Sequence, residues 1–275
     1  MVEVGNVAEL PRIQSLARAN AILTEVAGAS TGAIRLNELS QRLGLNRTTV
    51  FNLAESLVML GFLAKDESGY CLGLRNIELG RAATRRVDVL PAIRPALMRI
   101  CHQTGETVNL ALPYLAEAMI VESYESRHGV RATAYAGTRA PYHATACGKA
   151  LLTRFSPETR QQIYDFAGLP AVTERTITER RALEADLAAV EARGYALEVE
   201  ESELGAFCVA VAVVNSFGEA LASISVASVT QRMSSETIAA FAAILKQEVV
   251  VLERELAGQP APTAARQPRS RRAAS

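Results

Sequence analysis

The sequence predicts an α+β protein of two domains: a small helical domain that ends in a β-hairpin, and a larger domain that mixes strands with helices. Three observations predict this. The chain has 275 residues, which is too long for one typical small domain and enough for two. Apolar residues make up 49% and aromatic residues only 5%, so both cores should be aliphatic. Apolar positions recur at helical spacing near the N-terminus, and strand-like runs follow further along.

Three short helices are expected near the N-terminus. Residues 12–27 repeat apolar side chains at spacings of three and four, and a glycine follows them. Residues 35–43 form a shorter amphipathic segment that Gly44 breaks. Asn46 is then a suitable N-cap for a third helix, which ends at Gly61.

A hairpin is expected directly after the third helix. Two strand-like runs, residues 62–65 and 70–72, flank the polar turn 66–69. Three helices with a glycine break before the third, followed by a hairpin, are typical of a winged helix-turn-helix. We assign this domain to residues 10–74, and the next helical stretch, residues 75–87, is expected to be a linker helix.

Residues 88–258 are expected to form an α+β sensor domain, because antiparallel strand pairs alternate with amphipathic helices. Helices are expected at residues 91–104, 148–155, 157–166, 178–193 and 234–256, and strands at residues 108–112, 118–124, 131–134, 195–199, 207–214 and 220–226. The last two strands flank a short polar turn and should form a hairpin. Residues 259–275 combine Pro, Ala and Ser with four arginines, so we expect a disordered basic tail.

Charge and cysteine content bear on partners and location. The formal net charge is zero, but residues 1–87 carry 10 basic against 8 acidic side chains, and residues 88–258 carry 15 against 21. A mildly basic N-terminal part suits contact with a polyanion, although uneven scatter explains the counts equally well. The four cysteines form no CxxC pair, and no apolar run approaches the roughly 20 residues of a membrane span. We therefore expect reduced thiols, no membrane association and a cytoplasmic location.

The third helix of a winged helix-turn-helix enters the major groove and contacts bases with its first turns. Its outward side chains here include Arg47, Thr48, Thr49 and Asn52. Arginine pairs with guanine and asparagine with adenine, whereas threonine reaches a phosphate or a thymine methyl group. Further candidates for contact with double-stranded operator DNA are Arg35, Arg42 and, on the hairpin, Lys65. The same pattern also fits a small helical bundle with ordinary solvated faces.

A family resemblance narrows these alternatives. The stretch LNELSQRLGLNRTTVFNLAESLVMLGFLAKDESGYCLG resembles the DNA-binding half of the isocitrate-lyase-regulator (IclR) family. The later segments PYHATACGKALL and GYALEVEESELGAFCVAVAVVNSFGEALASISVAS resemble its effector domain, in the expected order. The resemblance implies a winged helix-turn-helix, a linker helix and a GAF-like effector-binding domain, assembled as a homodimer or a dimer of dimers. It also implies control of a catabolic operon, with repression favoured over activation.

The resemblance also implies an effector site. Ala146 and Cys147 occupy loop positions that contact the effector in the family, and Glu198, Cys208 and Ser225 match polar pocket positions. Small residues before a helix leave backbone N–H groups exposed, which favours an anion, so a small organic acid is the expected effector. Without the resemblance, Cys208 in its apolar strand is more often plain core.

This chain departs from the family pattern at several positions. Asn52 stands where the family often has arginine, and Ala212 stands where it often has proline. The acidic run at residues 198–201 begins with Glu instead of Asp. Ala227 replaces a second pocket serine, which makes the pocket less polar and favours a larger or aromatic acid over a two- or three-carbon one.

The residues also raise two other function classes, a thiol enzyme and an interaction adaptor. His143, Cys147 and Lys149 are close in sequence and suggest a thiol nucleophile, but no acidic orienting residue stands at a recognisable spacing. The three histidines form no HExxH-type ligand set, and the chain contains no GxSxG, P-loop or GxGxxG motif. We therefore expect no enzyme activity, no metal and no cofactor. A protein-interaction adaptor that binds no DNA is the other alternative.

Overall fold

The computed structural model describes residues 13–84 and 90–257, which form two compact units, one from each range. The first unit carries the winged helix-turn-helix, and the second carries the mixed sheet and helices. The predicted basic tail, residues 259–275, lies outside the described residues, as does the end of the predicted linker helix.

The first unit has the predicted order of three helices, a hairpin and a further helix. Its elements are α1 (Gln14–Ala27), α2 (Leu36–Leu43), α3 (Arg47–Met59), β1 (Leu63–Asp66), β2 (Gly69–Leu72) and α4 (Arg75–Thr84). The Asn46 side chain caps α3 by accepting a hydrogen bond of 2.8 Å from the Thr48 backbone N–H. Gly44 ends α2 in the left-handed conformation with φ of 61°. These local signals confirm the predicted winged helix-turn-helix.

The core of the first unit is mostly aliphatic, although the ring of Tyr70 is also buried in it. Ile22, Leu39 and Val50 are fully buried where α1, α2 and α3 meet. Leu60 follows Leu57 at helical spacing, but 63% of its surface is exposed. It lies at the C-cap of α3, past the last helical residue, and so leaves the inward stripe. Leu16 of α1 is likewise 63% exposed.

The second unit is an antiparallel sheet of six strands in the order β5-β4-β3-β8-β7-β6 with helices around it. Its elements are α5 (Leu90–Thr104), β3 (Thr107–Tyr114), β4 (Glu117–Tyr124), β5 (Arg139–Pro141), α6 (Ala146–Leu152), α7 (Pro157–Ala167), α8 (Arg180–Arg193), β6 (Ala196–Val199), β7 (Ala206–Val214), β8 (Ala220–Val229) and α9 (Ser235–Ala257). This arrangement confirms the predicted α+β class.

One predicted strand is wrong. Residues 131–134 form no strand, and the place beside β4 is taken instead by β5, in which Ala140 pairs with Ala118. Just before β5, Ile120 of β4 exchanges backbone hydrogen bonds with Gly137 and Thr138. An alternating pattern at residues 131–134 is compatible with a strand, but it does not show which segment pairs with β4 at the edge of the sheet.

Both faces of the sheet are covered, which explains the nearly continuous apolar strands β7 and β8. On one face Phe207 stacks on Phe241 of α9 with ring centroids 6.3 Å apart. On the other face Ala210 of β7 packs with Ala146 and Ala150 of α6. The second face therefore carries the residues that the sequence placed at the effector site.

Candidate DNA-binding helix and effector pocket

The first turns of α3 present the predicted polar side chains to solvent. Arg47, Thr48 and Asn52 are exposed, and Thr49 is half-buried. The Asn46 cap fixes where the helix begins and hence which residues occupy its first turn. An exposed arginine and asparagine on the leading turns of a recognition helix are able to pair with guanine and adenine edges.

Of the two arginines predicted to contact DNA from α2, one is paired with carboxylates among the described residues and the other is not. Arg42, in the last turn of α2, donates a hydrogen bond of 2.7 Å to Glu38 and lies 3.6 Å from Glu25. Arg35 is exposed at the N-cap position of α2. Arg35 has no ion-pair partner among the residues the structure describes, so it is better placed than Arg42 to meet a phosphate.

Lys65 on the hairpin is engaged by the recognition helix. Its Nζ lies 2.7 Å from Glu55 Oε1, and the Tyr70 hydroxyl donates to the same oxygen at 2.7 Å. The ammonium also lies 5.6 Å from the Phe51 ring centroid and 5.1 Å from that of Tyr70. Hydrogen bonding to Lys65 lowers the pKa of Glu55, so the carboxylate is ionised at neutral pH. Lys65 was predicted to contact DNA, and no sequence pattern shows its pairing with Glu55.

The predicted effector residues lie together on the face of the sheet that meets α6. Glu198 of β6 pairs in register with Cys208 of β7, and Ser225 of β8 pairs with Ala210, two residues further along β7. Glu198 and Ser225 are buried, and Cys208 is partly buried. From α6, Ala146 packs onto this face beside Cys208, and the buried Cys147 follows it in the helix.

Glu198 is a carboxylate with one satisfied oxygen and one unsatisfied oxygen. Oε1 accepts hydrogen bonds from the backbone N–H groups of Glu201 at 2.8 Å and Ser202 at 3.1 Å. Oε2 is buried and has no hydrogen-bond partner among the described residues. Burial raises the pKa of Glu198, and the two backbone hydrogen bonds oppose that rise only in part. An unsatisfied buried oxygen is the kind of group that a ligand completes.

Other polar side chains lie on the same face and were not predicted from the sequence. Asn109 of β3 is buried beside Ser225, and its side-chain carbonyl accepts a hydrogen bond of 2.8 Å from Ser123 of β4. Ser223 of β8 is fully buried with a hydroxyl that lacks a partner among the described residues. The available signal was an asparagine inside the otherwise apolar run 108–112.

Lys149 anchors the loop next to this site. It is only 1% exposed, and its Nζ lies 2.8 and 3.0 Å from the two carboxylate oxygens of Glu201 and 2.8 Å from Asp186 Oδ2. Since the Glu201 N–H is bonded to Glu198, the ammonium holds the loop that holds the pocket carboxylate. Thr176 secures the same residue by donating to the Glu201 carbonyl at 2.7 Å.

The geometry does not assemble a thiol nucleophile from His143, Cys147 and Lys149. His143 is buried, and its Nε2 lies 2.9 Å from the Pro170 carbonyl oxygen, which can only accept a hydrogen bond. Burial lowers the pKa of His143 and raises the pKa of Cys147, so neutral imidazole and protonated thiol are both favoured. The ammonium of Lys149 is committed to carboxylates. A reactive thiolate needs the opposite environment.

The described residues contain neither a metal cluster nor a membrane-spanning helix. Within residues 13–84 and 90–257, no group of three or more His, Cys, Asp or Glu side chains is placed to hold a metal ion. Over the same residues, no helix has the length and hydropathy needed to span a bilayer.

A winged helix-turn-helix joined to a sheet domain with a buried polar cluster defines the class of DNA-binding transcription regulators. Comparison with known families identifies the particular member of this class. The IclR helix-turn-helix domain matches residues 15–67, and the bacterial transcriptional regulator IclR C-terminal domain matches residues 81–252. The chain therefore belongs to the IclR family of transcriptional regulators.

Curated relatives share most of their length with this chain. The HTH-type transcriptional regulator XynR of Escherichia coli K12 is 30% identical over 92% of this chain and 100% of its own length. The transcriptional repressor IclR of the same strain is 30% identical over 85% of this chain and 86% of its own. The HTH-type transcriptional regulator BhcR of Paracoccus denitrificans is 33% identical over 91% of this chain and 88% of its own length.

Solved structures of family members have the same fold. An IclR transcriptional regulator from Alicyclobacillus acidocaldarius superposes with a TM-score of 0.77 at 25% identity, over 90% of this chain and all of that one. An IclR homologue from Microbacterium hydrocarbonoxydans was solved in complex with 4-hydroxybenzoate. It superposes with a TM-score of 0.73 at 26% identity, over 88% of this chain and 98% of that one.

Proposed function

We propose that this chain is a cytoplasmic repressor that binds the operator of a catabolic operon through α3 and is released by a small organic acid. The observation that carries the proposal is that each of the two units has its own set of polar side chains suited to a ligand. One unit exposes Arg47 and Asn52 on a recognition helix, and the other buries an unpaired carboxylate oxygen of Glu198. Exposed donors on a recognition helix fit DNA, and an unpaired buried carboxylate oxygen fits a ligand that completes it. No catalytic step is part of this function.

On the DNA side, Arg47 pairs with a guanine edge, and Asn52, about one and a half helical turns later, pairs with an adenine edge. Thr48 and Thr49 contact phosphate or a thymine methyl group at the helix start. Arg35 contacts the backbone. Arg42 and Lys65 are both paired with carboxylates in the free protein, and contact with a phosphate would require either of them to give up that partner.

On the effector side, the site is the polar cluster between α6 and the sheet. Its proposed lining is Ala146, Cys147, Glu198, Cys208 and Ser225, and we add Asn109 because it is buried and pairs in register with Ser225. Because the two cysteine side chains are small, we infer that the bound effector, a flat ring or a short chain, lies between them. The 4-hydroxybenzoate bound by a relative is an acid of that size.

The repressor acts as a homodimer or a dimer of dimers, because one winged helix reads few base pairs and symmetric half-sites extend them. Apolar side chains on α1 and α4 support this part of the proposal. Ile13 at the start of α1 is 56% exposed, and Leu16 is 63% exposed. On α4, Ile77 and Leu79 are 55% and 40% exposed. Such side chains gain most from burial against a second copy.

The DNA side is tested by fluorescence anisotropy with the DNA upstream of the chain's own gene. Arg47→Ala should weaken specific binding by about 1–3 kcal/mol if the guanidinium holds a base. Arg180→Ala removes an exposed arginine from the other unit and should bind as the wild type does. Unchanged affinity of Arg47→Ala would remove this residue from the site. Transcript levels in a deletion strain distinguish a repressor, whose targets rise, from an activator, whose targets fall.

The effector side is tested by titrating operator-bound protein with 4-hydroxybenzoate, other aromatic acids and short aliphatic acids. Cys208→Phe should fill the cluster and abolish the response while operator binding persists, because the two functions lie in separate units. Cys208→Ser keeps the size of the side chain and should keep the response. A Cys208→Phe protein that folds, binds DNA and still responds like wild type would place the effector elsewhere.

A further inference from the structure

The third turn of α3 carries a carboxylate in an unusual state. Glu55 lies three residues beyond Asn52 on the side of the helix that leads away from the core, and its side chain is 35% exposed. Its Oε1 is occupied by Lys65 and Tyr70, as described above. Its Oε2 accepts no hydrogen bond from the described residues. One carboxylate oxygen is therefore fixed, and the other is available.

A carboxylate is normally excluded from a DNA-facing surface because phosphates repel it. Lys65 reduces this repulsion, since its ammonium lies 2.7 Å from Oε1 and neutralises the charge locally. The hairpin thus supplies the cation and the hydroxyl that keep an ionised acceptor on the recognition helix. Those two hydrogen bonds also restrict the side chain to one direction, which is the preorganisation that base readout needs.

An ionised carboxylate only accepts hydrogen bonds, so it requires a donor on the base edge. In the major groove the donors are the amino groups of cytosine N4 and adenine N6, and the adenine amino group stands beside the N7 acceptor, which repels a carboxylate. Guanine and thymine present acceptors at the corresponding positions. Three residues of helix advance about 4.5 Å, close to the ~3.4 Å between base pairs.

We propose that Glu55 is a specificity-determining residue that selects cytosine at the base pair next to the one contacted by Asn52, with Lys65 and Tyr70 as its positioning residues. This rests on the proposed placement of α3 in the major groove. The alternative is that Glu55 only ties the hairpin to α3, in which case it affects affinity or stability without regard to base identity.

The test selects randomised duplex DNA with the full-length protein and compares the sequenced motifs of wild type and Glu55→Gln. Wild type should enrich cytosine at one position by about fivefold or more, the discrimination expected for one contacted base pair. Glutamine pairs with adenine through N6 and N7, so Glu55→Gln should shift the preference at that position from cytosine to adenine. Glu67→Gln removes the same charge from the exposed hairpin turn and should leave the motif unchanged.

Tyr70→Phe is a second variant that keeps every charge. It removes one of the two bonds that orient the carboxylate, so it should reduce the cytosine preference at the same position and no other. Identical motifs for wild type, Glu55→Gln and Tyr70→Phe would overturn the proposal, whatever happened to affinity. If wild type selects no motif, or if Arg47→Ala leaves the motif and affinity intact, the placement of α3 itself fails.

Discussion

Replacing Lys149 with methionine should destabilise the effector unit and make its stability depend more strongly on pH. Methionine keeps most of the side-chain volume, so the change isolates the ammonium. Its removal leaves the carboxylates of Glu201 and Asp186, now 2.8 Å from Lys149 Nζ, without their cation. Breaking a buried ion pair typically costs about 3–5 kcal/mol because the remaining charge is uncompensated. Since the partner side chains are 12% and 22% exposed, water moderates the loss, and we expect about 2–4 kcal/mol.

The pH dependence follows from Glu201. Burial raises the pKa of Glu201 above its usual value, and attraction to Lys149 opposes that rise. A carboxyl with a raised pKa in the folded state favours folding when protonated, and this contribution is lost as the pH rises through the folded-state pKa. Without Lys149 the pKa of Glu201 rises further. The destabilisation of Lys149→Met should therefore be smaller at about pH 5 than at about pH 8.

Urea unfolding followed by tyrosine fluorescence measures this effect in the intact chain. Six of the seven tyrosines lie in the second unit, so the signal reports mainly on that unit. Arg180→Met is the matched control, because its ion pair with Asp165 is exposed on both sides and should contribute at most about 1 kcal/mol. Adding Glu201→Gln to Lys149→Met removes an orphaned charge and should recover part of the loss. Unfolding of Lys149→Met at wild-type urea concentrations, or a loss that grows towards low pH, would refute this reasoning.

Three further predictions concern packing, the tail and assembly. Gly148→Ala should destabilise the second unit by more than about 2 kcal/mol in urea unfolding, because a Cβ would lie 2.4 Å from Tyr142 Cα and 2.5 Å from its carbonyl oxygen; wild-type stability would contradict that packing. Deleting residues 259–275 should leave the fold intact by circular dichroism and reduce the salt dependence of DNA binding by up to ~0.9 per lost phosphate contact. An unchanged slope would mean that its arginines do not meet DNA. Light scattering at micromolar concentration should give at least twice the 29.5 kDa chain mass, and a monomer that binds its operator tightly would exclude the dimer.

The helices and turns of the first unit were predictable because their signals are local. A glycine adopts the left-handed conformation at the end of α2, and Asn46 bonds a backbone N–H two residues later. Both facts depend on a few neighbouring residues and hold in any tertiary context. The start of α6 at Ala146, two residues before the predicted start, is also a local fact: the Thr145 hydroxyl caps it by accepting from the Gly148 N–H at 3.1 Å.

Interactions between distant parts of the chain were beyond sequence analysis. Residues 131–134 were predicted to form a strand, but β5 is the segment that pairs with the outer side of β4, because alternation does not say which segment pairs. Lys149 and Glu201 are 52 positions apart, and Lys65 and Glu55 are 10 positions apart across the helix-to-hairpin junction. A count of charged residues cannot show that these two lysines are paired with carboxylates. The polar face of the sheet was found only in part, since Asn109 gains meaning from its register with Ser225.

The pairing of basic side chains with carboxylates affects how the first unit discriminates between DNA sequences. Non-specific affinity comes from basic side chains that neutralise phosphates. Two of the predicted DNA-contacting cations, Arg42 and Lys65, are already paired with Glu38 and Glu55, and each exchange for a phosphate leaves a carboxylate unpaired near DNA. That cost applies to every sequence alike, whereas hydrogen bonds from the first turns of α3 are gained only on matching bases. Internal pairing therefore lowers the sequence-independent part of binding while preserving the sequence-dependent part, which raises the ratio that determines specificity.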